Sequence, residues 1–371
     1  MNSTPGTPTP SRNNSVSGLG RIAGLWKNIR THDWWEYKIP PLLATAYATA
    51  LLLGVTFPHL WPLLLLDLFA ILPAAAYVSV LNDITDQEDD LRAGKTNRMA
   101  GKSAGYQFFA LALCIVPGLA AVWFFRHYPC TLSFYAGTWV AYTLYSAPPI
   151  RLKVRGIWGV AMDAGGAHVF PTLWTATLIA EGTGHALPRL FLLSVGVWAL
   201  AIGLRGILWH QLYDRENDLR SQISTLATRN SPQSIRRFVA WFDFPLELAA
   251  LASILIQVST PWAWLILSLY LAGEWLTSRF LQIDLILVQP TARYRIIFAE
   301  YYQLWYPLTF LIAMALQSLD ALWLIALQLV LFPHCVHVFL SHFQFIVRQR
   351  LIPSLRSKIR TILVPIGRNK L

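Results

Sequence analysis

The chain has 371 residues, of which 55% are hydrophobic and only 13% charged, about half the charged share of an average soluble domain. That composition excludes an ordinary soluble globular protein and points to a lipid bilayer. The net charge of +11 calls for no nucleic acid, because the Lys and Arg residues sit in short segments between apolar runs, where a basic face suits an anionic leaflet.

The first 20 residues, MNSTPGTPTPSRNNSVSGLG, are rich in Ser, Thr, Pro, Asn and Gly and hold no apolar run. Residues 1–35 are therefore expected to be a disordered polar tail rather than a signal peptide. Apolar runs long enough to cross about 30 Å of hydrocarbon then recur at 40–58, 61–81, 106–125, 129–147, 157–181, 187–212, 239–258, 262–288, 297–318 and 321–346. A soluble core helix would show a polar stripe every few residues instead. Residues 36–346 thus read as one transmembrane domain, and residues 347–371, which alternate basic and apolar positions, as a short amphipathic helix on the inner membrane surface. Cys114, Cys130 and Cys335 are isolated in or beside these runs and imply no disulfide or zinc framework.

Basic residues set the orientation, because Lys and Arg in short loops stay on the cytoplasmic side. With the N-terminus inside, the inner segments hold Arg21 to Lys38, Arg92 to Lys102, Arg151 to Arg155, Arg215 to Arg237, Arg293 with Arg295, and the cluster from Arg348 onward, while the outer loops hold only Arg126 and Arg189. The asymmetry also favours an even number of spans.

The second run ends in NDITDQEDD, residues 82–90, with five carboxylates in nine positions. On a continuous helix, Asn82, Asp83, Asp86 and Asp90 fall within an arc of about 100°, and Glu88 points elsewhere. Like charges on one face at the membrane boundary repel unless a cation lies among them. Magnesium is the economical cation: it prefers oxygen ligands, keeps several waters and bridges carboxylates to phosphate. A second acidic cluster ends the sixth run in HQLYDRENDLRSQISTLA, where Asp214 and Asp218 stack one turn apart and His210 precedes them on the same face. Two acidic faces at one membrane level would hold a diphosphate through shared magnesium ions, whereas a single D-x-x-x-D would be read more simply as a solvated helix end.

Between the fourth and fifth runs lies LYSAPPIRLKVRG, in which Pro148 and Pro149 end the helix and present Arg151, Lys153 and Arg155 in an extended loop. Arg suits bidentate phosphate contact and Lys a point-charge contact. Lys95 and Arg98, just past the first cluster, invite the same reading; so does positive-inside anchoring for all of them.

NDITDQEDD resembles the N-D-x-x-D-x-x-x-D motif of the UbiA superfamily of intramembrane prenyltransferases. YDREND resembles that family's second motif, Y-D-x-x-x-D, and LYSAPPIRLK looks like its loop between helices four and five. The match runs in order over residues 35–290. Two departures stand out: GKTNRMAGK lacks the proline that follows the corresponding Arg in many members, and ten apolar runs exceed the family's typical nine helices.

The resemblance implies an all-α, polytopic helical bundle of nine to ten transmembrane helices around a central cavity, and magnesium-dependent binding of an isoprenyl diphosphate. Ionisation would then give an allylic cation that a small acceptor attacks, aromatic rings among the candidates. By the same resemblance, Asn82, Asp83, Asp86 and Asp90 would hold one magnesium and Asp214 with Asp218 the other. Lys95, Arg98, Arg151 and Lys153 would bind the diphosphate, with Tyr145 and His210 among the substrate contacts, and Tyr213 would line the cavity near the reacting carbon.

A terpene cyclase of the same superfamily uses the same metals and differs only in folding the cation back on its own double bonds. A transferase of sugar phosphate would call for a phosphoribosyl-binding signature, which the chain does not show. A transporter would carry its acidic groups at mid-membrane, with an internal repeat. Four further features read as structural. Glu274 and Arg279 are five apart, so each expects a partner elsewhere, and Asp163, beside Gly165, Gly166 and His168, marks close packing or a cavity wall. His334 and His337 share a face with no third ligand in view.

Overall fold

A computed structural model of the chain describes residues 31–347. The polar tail expected over 1–35 lies outside the described residues as far as residue 30, and positions 31–35 already belong to a helix; the basic segment expected over 347–371 lies outside them from residue 348.

Helix α1, Thr31–Leu53, is an interior element: residues 39–50 are all buried, and Ala44, Ala46, Ala48 and Ala50 are fully so. Small side chains on an apolar helix let neighbours approach closely, which replaces the hydrophobic drive missing in lipid. α2, Phe57–Thr85, has 29 residues and is therefore about 43 Å long, more than the hydrocarbon thickness of about 30 Å. Its acidic end is thus free to stand clear of the lipid. A six-residue helix, α3, Gln87–Arg92, follows. α4, Ala104–Phe125, is capped by the Ser103 side chain, which accepts from the Tyr106 N–H; it leaves Phe108, Phe109, Val116, Leu119 and Trp123 exposed, as an outer helix facing lipid must.

α5, Pro129–Ser146, is followed by a 3-10 turn at Leu152–Val154. α6, Ile157–Ala164, and α7, Phe170–Gly182, are joined through a π turn at Gly165–Val169. α8, Arg189–Tyr213, and the short α9, Arg215–Arg220, repeat the long-then-short pattern of α2 and α3. After α10, Leu226–Arg229, come α11, Pro232–Phe238, a π turn at Val239–Asp243, and α12, Phe244–Val258. α13, Pro261–Leu281, ends in a left-handed Gln282, and two short parallel strands, β1, Asp284–Ile286, and β2, Tyr294–Ile296, pair Leu285 with Arg295. A π turn at Tyr301–Trp305 leads to α14, Tyr306–Gln317; α15, Ala321–Leu331, and α16, Pro333–Ile346, complete the described chain.

The fold is an all-α helical bundle with one small β ladder. α1 packs against α7 and α14, α8 against α12, α2 against α4, and α5 against α7. Among the described residues, four helical stretches are long and apolar enough by themselves to cross a bilayer: Phe57–Thr85, Ala104–Phe125, Arg189–Tyr213 and Pro232–Val258. Two expected runs are corrected. The run at 262–288 ends as a helix at Leu281, because the left-handed Gln282 turns the chain into β1. The run at 321–346 is two helices, because Pro333 has no N–H to continue α15 and starts α16 instead.

Buried charges cross-link the bundle. Asp67 of α2 is fully buried and accepts from Trp174 Nε1 at 2.7 Å and Thr175 Oγ1 at 3.1 Å. Arg205 of α8 forks onto Glu247 of α12 at 2.7 and 2.8 Å, Tyr302 donates to Glu247 at 2.7 Å, and Arg205 reaches the Ile297 carbonyl at 3.0 Å beside the β ladder. Removing one partner of such a pair leaves an uncompensated buried charge and costs about 3–5 kcal/mol.

Candidate active site

Both acidic motifs sit where a long helix breaks and restarts. α2 stops at Thr85, Asp86 takes φ −107°, ψ 6°, and α3 resumes. α8 stops at Tyr213, Asp214 takes φ −87°, ψ 0°, and α9 resumes. The segments are DQEDDLR and DRENDLR, residues 86–92 and 214–220. Their hydrogen bonds run in parallel: Asp90 N–H donates to Asp86 O at 2.8 Å and Asp218 N–H to Asp214 O at 2.9 Å. Each short helix closes with a bond spanning five residues, Lys95 N–H to Asp90 O at 2.8 Å and Ile223 N–H to Asp218 O at 2.9 Å. Gly94 (φ 65°) and Gln222 (φ 57°) hold the left-handed position that this closure requires.

The two breaks face each other across a cavity of about 220 Å³. Asp86, Asp89 and Asp90 line one wall and Asp214, Asn217 and Asp218 the other, while Lys95, Arg151, Lys153, Tyr145 and His210 complete the lining. Not all members of the acidic face reach the cavity. Asp89 turns into the cavity, whereas Asn82 and Asp83 do not line it: Asn82 accepts from Ser146 Oγ, and buried Asp83 lies 3.8 Å from Arg98. Arg98 is therefore placed behind the first motif, not in the cavity.

The cations lie on the carboxylates. Arg151 Nη2 donates to Asp86 at 2.8 Å and to Asp89 at 2.6 Å, and Lys153 also pairs with Asp86. Lys95, on the loop after α3, crosses to Asp214 at 3.0 Å. Asn97 fixes Asp90 through a 2.7 Å bond while also donating to Asp83 O at 2.8 Å. Burial pushes the Lys153 ammonium down, against the pull of Asp86. Burial also works against the Arg151 guanidinium, but Asp86 and Asp89 outweigh it and the net direction is upward. For Asp218, burial and then the Asp214 charge push the carboxyl up.

Among the described residues no three carboxylates, imidazoles or thiols converge into a ready-made cage. The donor set still fits magnesium, because Asp86, Asp90, Asp214 and Asp218 are hard oxygen donors on opposite walls of one cavity. Magnesium takes one or two carboxylates and fills its remaining positions with water and phosphate oxygens.

Tyr213 is not among the residues that line the polar cavity; it stands on the neighbouring face of α8, 62% exposed and stacked on Trp209 with ring centroids 5.5 Å apart. One residue of helical rotation separates it from Asp214. Glu274 finds Arg295 of β2 at 2.7 Å. Asp163 interacts electrostatically with Lys38 and His210, and His334 and His337 are exposed. Sequence reasoning missed Asp89, Asn97, Asp67 and the Arg205–Glu247 pair. An unmatched charge in the middle of an apolar run was the available signal for the last three of these charged groups.

The UbiA prenyltransferase family model matches residues 42–285. The chain belongs to the UbiA prenyltransferase family. The matched region contains both helix breaks and the Arg151–Lys153 loop, so the family's defining stretch and the cavity coincide. Among solved structures, a UbiA homologue from Archaeoglobus fulgidus bound to GPP and Mg2+ is 15% identical with a TM-score of 0.47, covering 86% of this chain and 97% of that one. The same homologue bound to DMAPP and Mg2+ is 13% identical with a TM-score of 0.49, covering 85% and 98%. No curated protein matches the chain. Family membership makes the chain an integral membrane protein with a prenyltransferase-type activity.

Proposed function

We propose that this chain is a magnesium-dependent intramembrane prenyltransferase that ionises an isoprenyl diphosphate and passes the prenyl group to a small acceptor, aromatic rings among the candidates. The observation that carries the reading is the pair of carboxylate-bearing helix breaks facing each other across one cavity, with Arg151, Lys153 and Lys95 at its walls. Asp86 and Asp90 would hold one magnesium and Asp214 and Asp218 another; bound there, magnesium supplies positive charge to the leaving diphosphate.

The chain's own cations do the rest. Arg151 and Lys153 are held on Asp86, and Lys95 on Asp214, in the orientation needed to meet a diphosphate. An arriving anion takes these cations as hydrogen-bond partners and releases the carboxylates to accept metal. As the carbon–oxygen bond breaks, its electron pair leaves with the diphosphate, so these contacts strengthen towards the transition state and lower the barrier. The allylic cation then takes an electron pair from the acceptor, which gives up a proton. Tyr145, on the cavity wall, offers its ring quadrupole to the cation. The bias of basic residues towards the inner loops supports a cytoplasmic cavity mouth and N-terminus, with residues 36–346 as the catalytic domain in this reading.

The test is to incubate purified protein with geranyl, farnesyl or geranylgeranyl diphosphate and magnesium, first without an acceptor and then across an acceptor panel, with analysis by mass spectrometry. Acceptor-dependent diphosphate release and a prenylated product are expected. A cyclic terpene formed from the diphosphate alone would replace the transferase reading with a terpene cyclase.

A further inference from the structure

Asp86 and Asp214 are held by cations, whereas the partner of Asp90 is a neutral amide. Asn97 Nδ2 donates to Asp90 Oδ2 at 2.7 Å and to the Asp83 carbonyl at 2.8 Å. Asn97 Oδ1 accepts from the Met99 and Ala100 N–H groups at 2.9 and 3.0 Å. An amide has two N–H donors and one oxygen with two lone pairs, so the side chain makes every bond open to it. The opposite amide orientation would set oxygen against the Asp90 carboxylate and the Asp83 carbonyl, and the NH2 against two N–H groups, so the bonding fixes which way Asn97 points.

The anchor is firm. Met99 is 1% exposed and shares a buried cluster with Tyr77, Val80 and Leu81 of α2, which pins the loop after α3 to the helix that carries the first motif. Three of the four Asn97 bonds go to backbone, and the fourth is aimed at Asp90. Arg151, Lys153 and Lys95 are charged, so a diphosphate draws them from their carboxylates. Asn97 is neutral and tied to backbone, so its hold on Oδ2 outlasts that exchange. Among the described residues Asp90 Oδ1 has no hydrogen-bond partner, and Asp90 lines the cavity. One oxygen of this carboxylate is occupied, and the other is left for a ligand.

We propose that Asn97 is a positioning residue that makes Asp90 a single-oxygen metal ligand and so tunes the site to Mg2+ against larger divalent ions such as Ca2+. The inference rests on the magnesium-dependent reading above and adds how this chain selects the ion. Mg2+ takes single carboxylate oxygens in a small octahedral shell, whereas Ca2+ takes more oxygens at longer range and chelates both oxygens of one carboxylate. The N–H bonded to Oδ2 sets a positive hydrogen on the oxygen that a chelated cation needs, and it holds the carboxylate against rotation.

The test is the apparent affinity for Mg2+ and for Ca2+, read from thermal shifts in detergent, for wild type, Asn97→Ala and Asn97→Ser. A saturating thio-analogue of geranyl diphosphate that does not ionise is present throughout. Ser keeps an oxygen that accepts from nearby backbone N–H groups and is too short to reach Asp90, so it separates the hold on Asp90 from the shape of the loop. Wild type is expected to prefer Mg2+ by at least about tenfold, and both variants to lose at least about tenfold of that preference, the order of one charge-assisted hydrogen bond. Wild type that binds Ca2+ as tightly as Mg2+ would overturn the proposal whether or not the variants fold. Equal losses for the two ions, or a loss of preference in Asn97→Ala alone, would overturn it by leaving Asn97 a loop anchor. An unchanged preference in both variants would remove Asn97 from the site. Wild type that responds to neither ion would sink the magnesium reading itself, a result distinct from all of these.

Discussion

The two helix breaks share a backbone and differ in what surrounds them. DQEDDLR and DRENDLR make the same hydrogen bonds and close on a left-handed residue at the same position. Around the first, Arg151 and Lys153 hold Asp86, Arg151 holds Asp89, and Asn97 holds Asp90. Around the second, Lys95 reaches Asp214 from the opposite motif's loop, and Thr225 lies 3.4 Å from Asp218. The common backbone presents two carboxylates per wall, one turn apart, at the positions where the proposed function puts its metal ligands. On the proposed function the unequal surroundings would divide the labour: the first wall would organise Arg151 and Lys153 to receive the diphosphate, and the second would keep its donors more open.

Replacing any of Asp86, Asp90, Asp214 or Asp218 by Ala should act alike on both walls. Each is expected to lower turnover by at least about a hundredfold, with an unchanged elution profile in detergent. Full activity in two of the four would break the paired-wall description.

Exchanging the one acidic difference between the motifs sharpens it. Asp89→Asn removes the carboxylate that would keep Arg151 in position once the diphosphate has drawn it from Asp86, and should raise the diphosphate KM about tenfold, the order of one charge-assisted hydrogen bond, with little change in kcat. Asn217→Asp, on an exposed position with no Arg in reach of the same role, should leave that KM within about twofold. Equal effects at both positions would make the walls equivalent.

The metal-free protein should also show the second wall's titration. Folded Asp218 holds its proton more tightly than the unfolded chain does, so protonation favours the fold. Stability from this group is fully present below the ordinary carboxylate range and is lost as the pH rises through the raised value. In the presence of a chelator, Tm should therefore fall as pH rises from acid towards neutrality, and Asp218→Asn should flatten that slope in a thermal melt.

The smallest effect lies at the closing residues. Gln222→Gly should stabilise by up to about 1 kcal/mol, and Gly94→Ala should destabilise by about as much, because only glycine takes φ near +60° without strain. Urea or thermal denaturation in detergent reads both.

Much of the site was legible because charge in an apolar chain is costly, and so sparse, and each acidic cluster stands out against its run. The spacing identified Asp86, Asp90, Asp214 and Asp218, and the loop residues Arg151 and Lys153, all of which line the cavity. Asp89 was legible as well: at 100° per residue it lies about 20° from Asn82 on an unbroken helix, and only its position in the cavity wall and its bond to Arg151 mark its part in the site. Tyr213 entered through the resemblance alone; its place beside Asp214 in the motif does not put the two on one face of a helix. In α13 and the segment after it, hydrophobicity alone did not distinguish a helix from the β1–β2 ladder, since both bury the same residue types.

The sequence by itself determined the bilayer environment, the apolar runs, the two acidic motifs and the family. Composition and short-range spacing suffice for the first three, because desolvation and helical period act locally; the family followed from the resemblance of the motifs. Only the tertiary structure decided which carboxylates face the cavity, which cations lie on them, and that Arg205 and Glu247 meet across two helices. Those outcomes depend on where a helix breaks and what a distant helix brings beside it, and no local period encodes either.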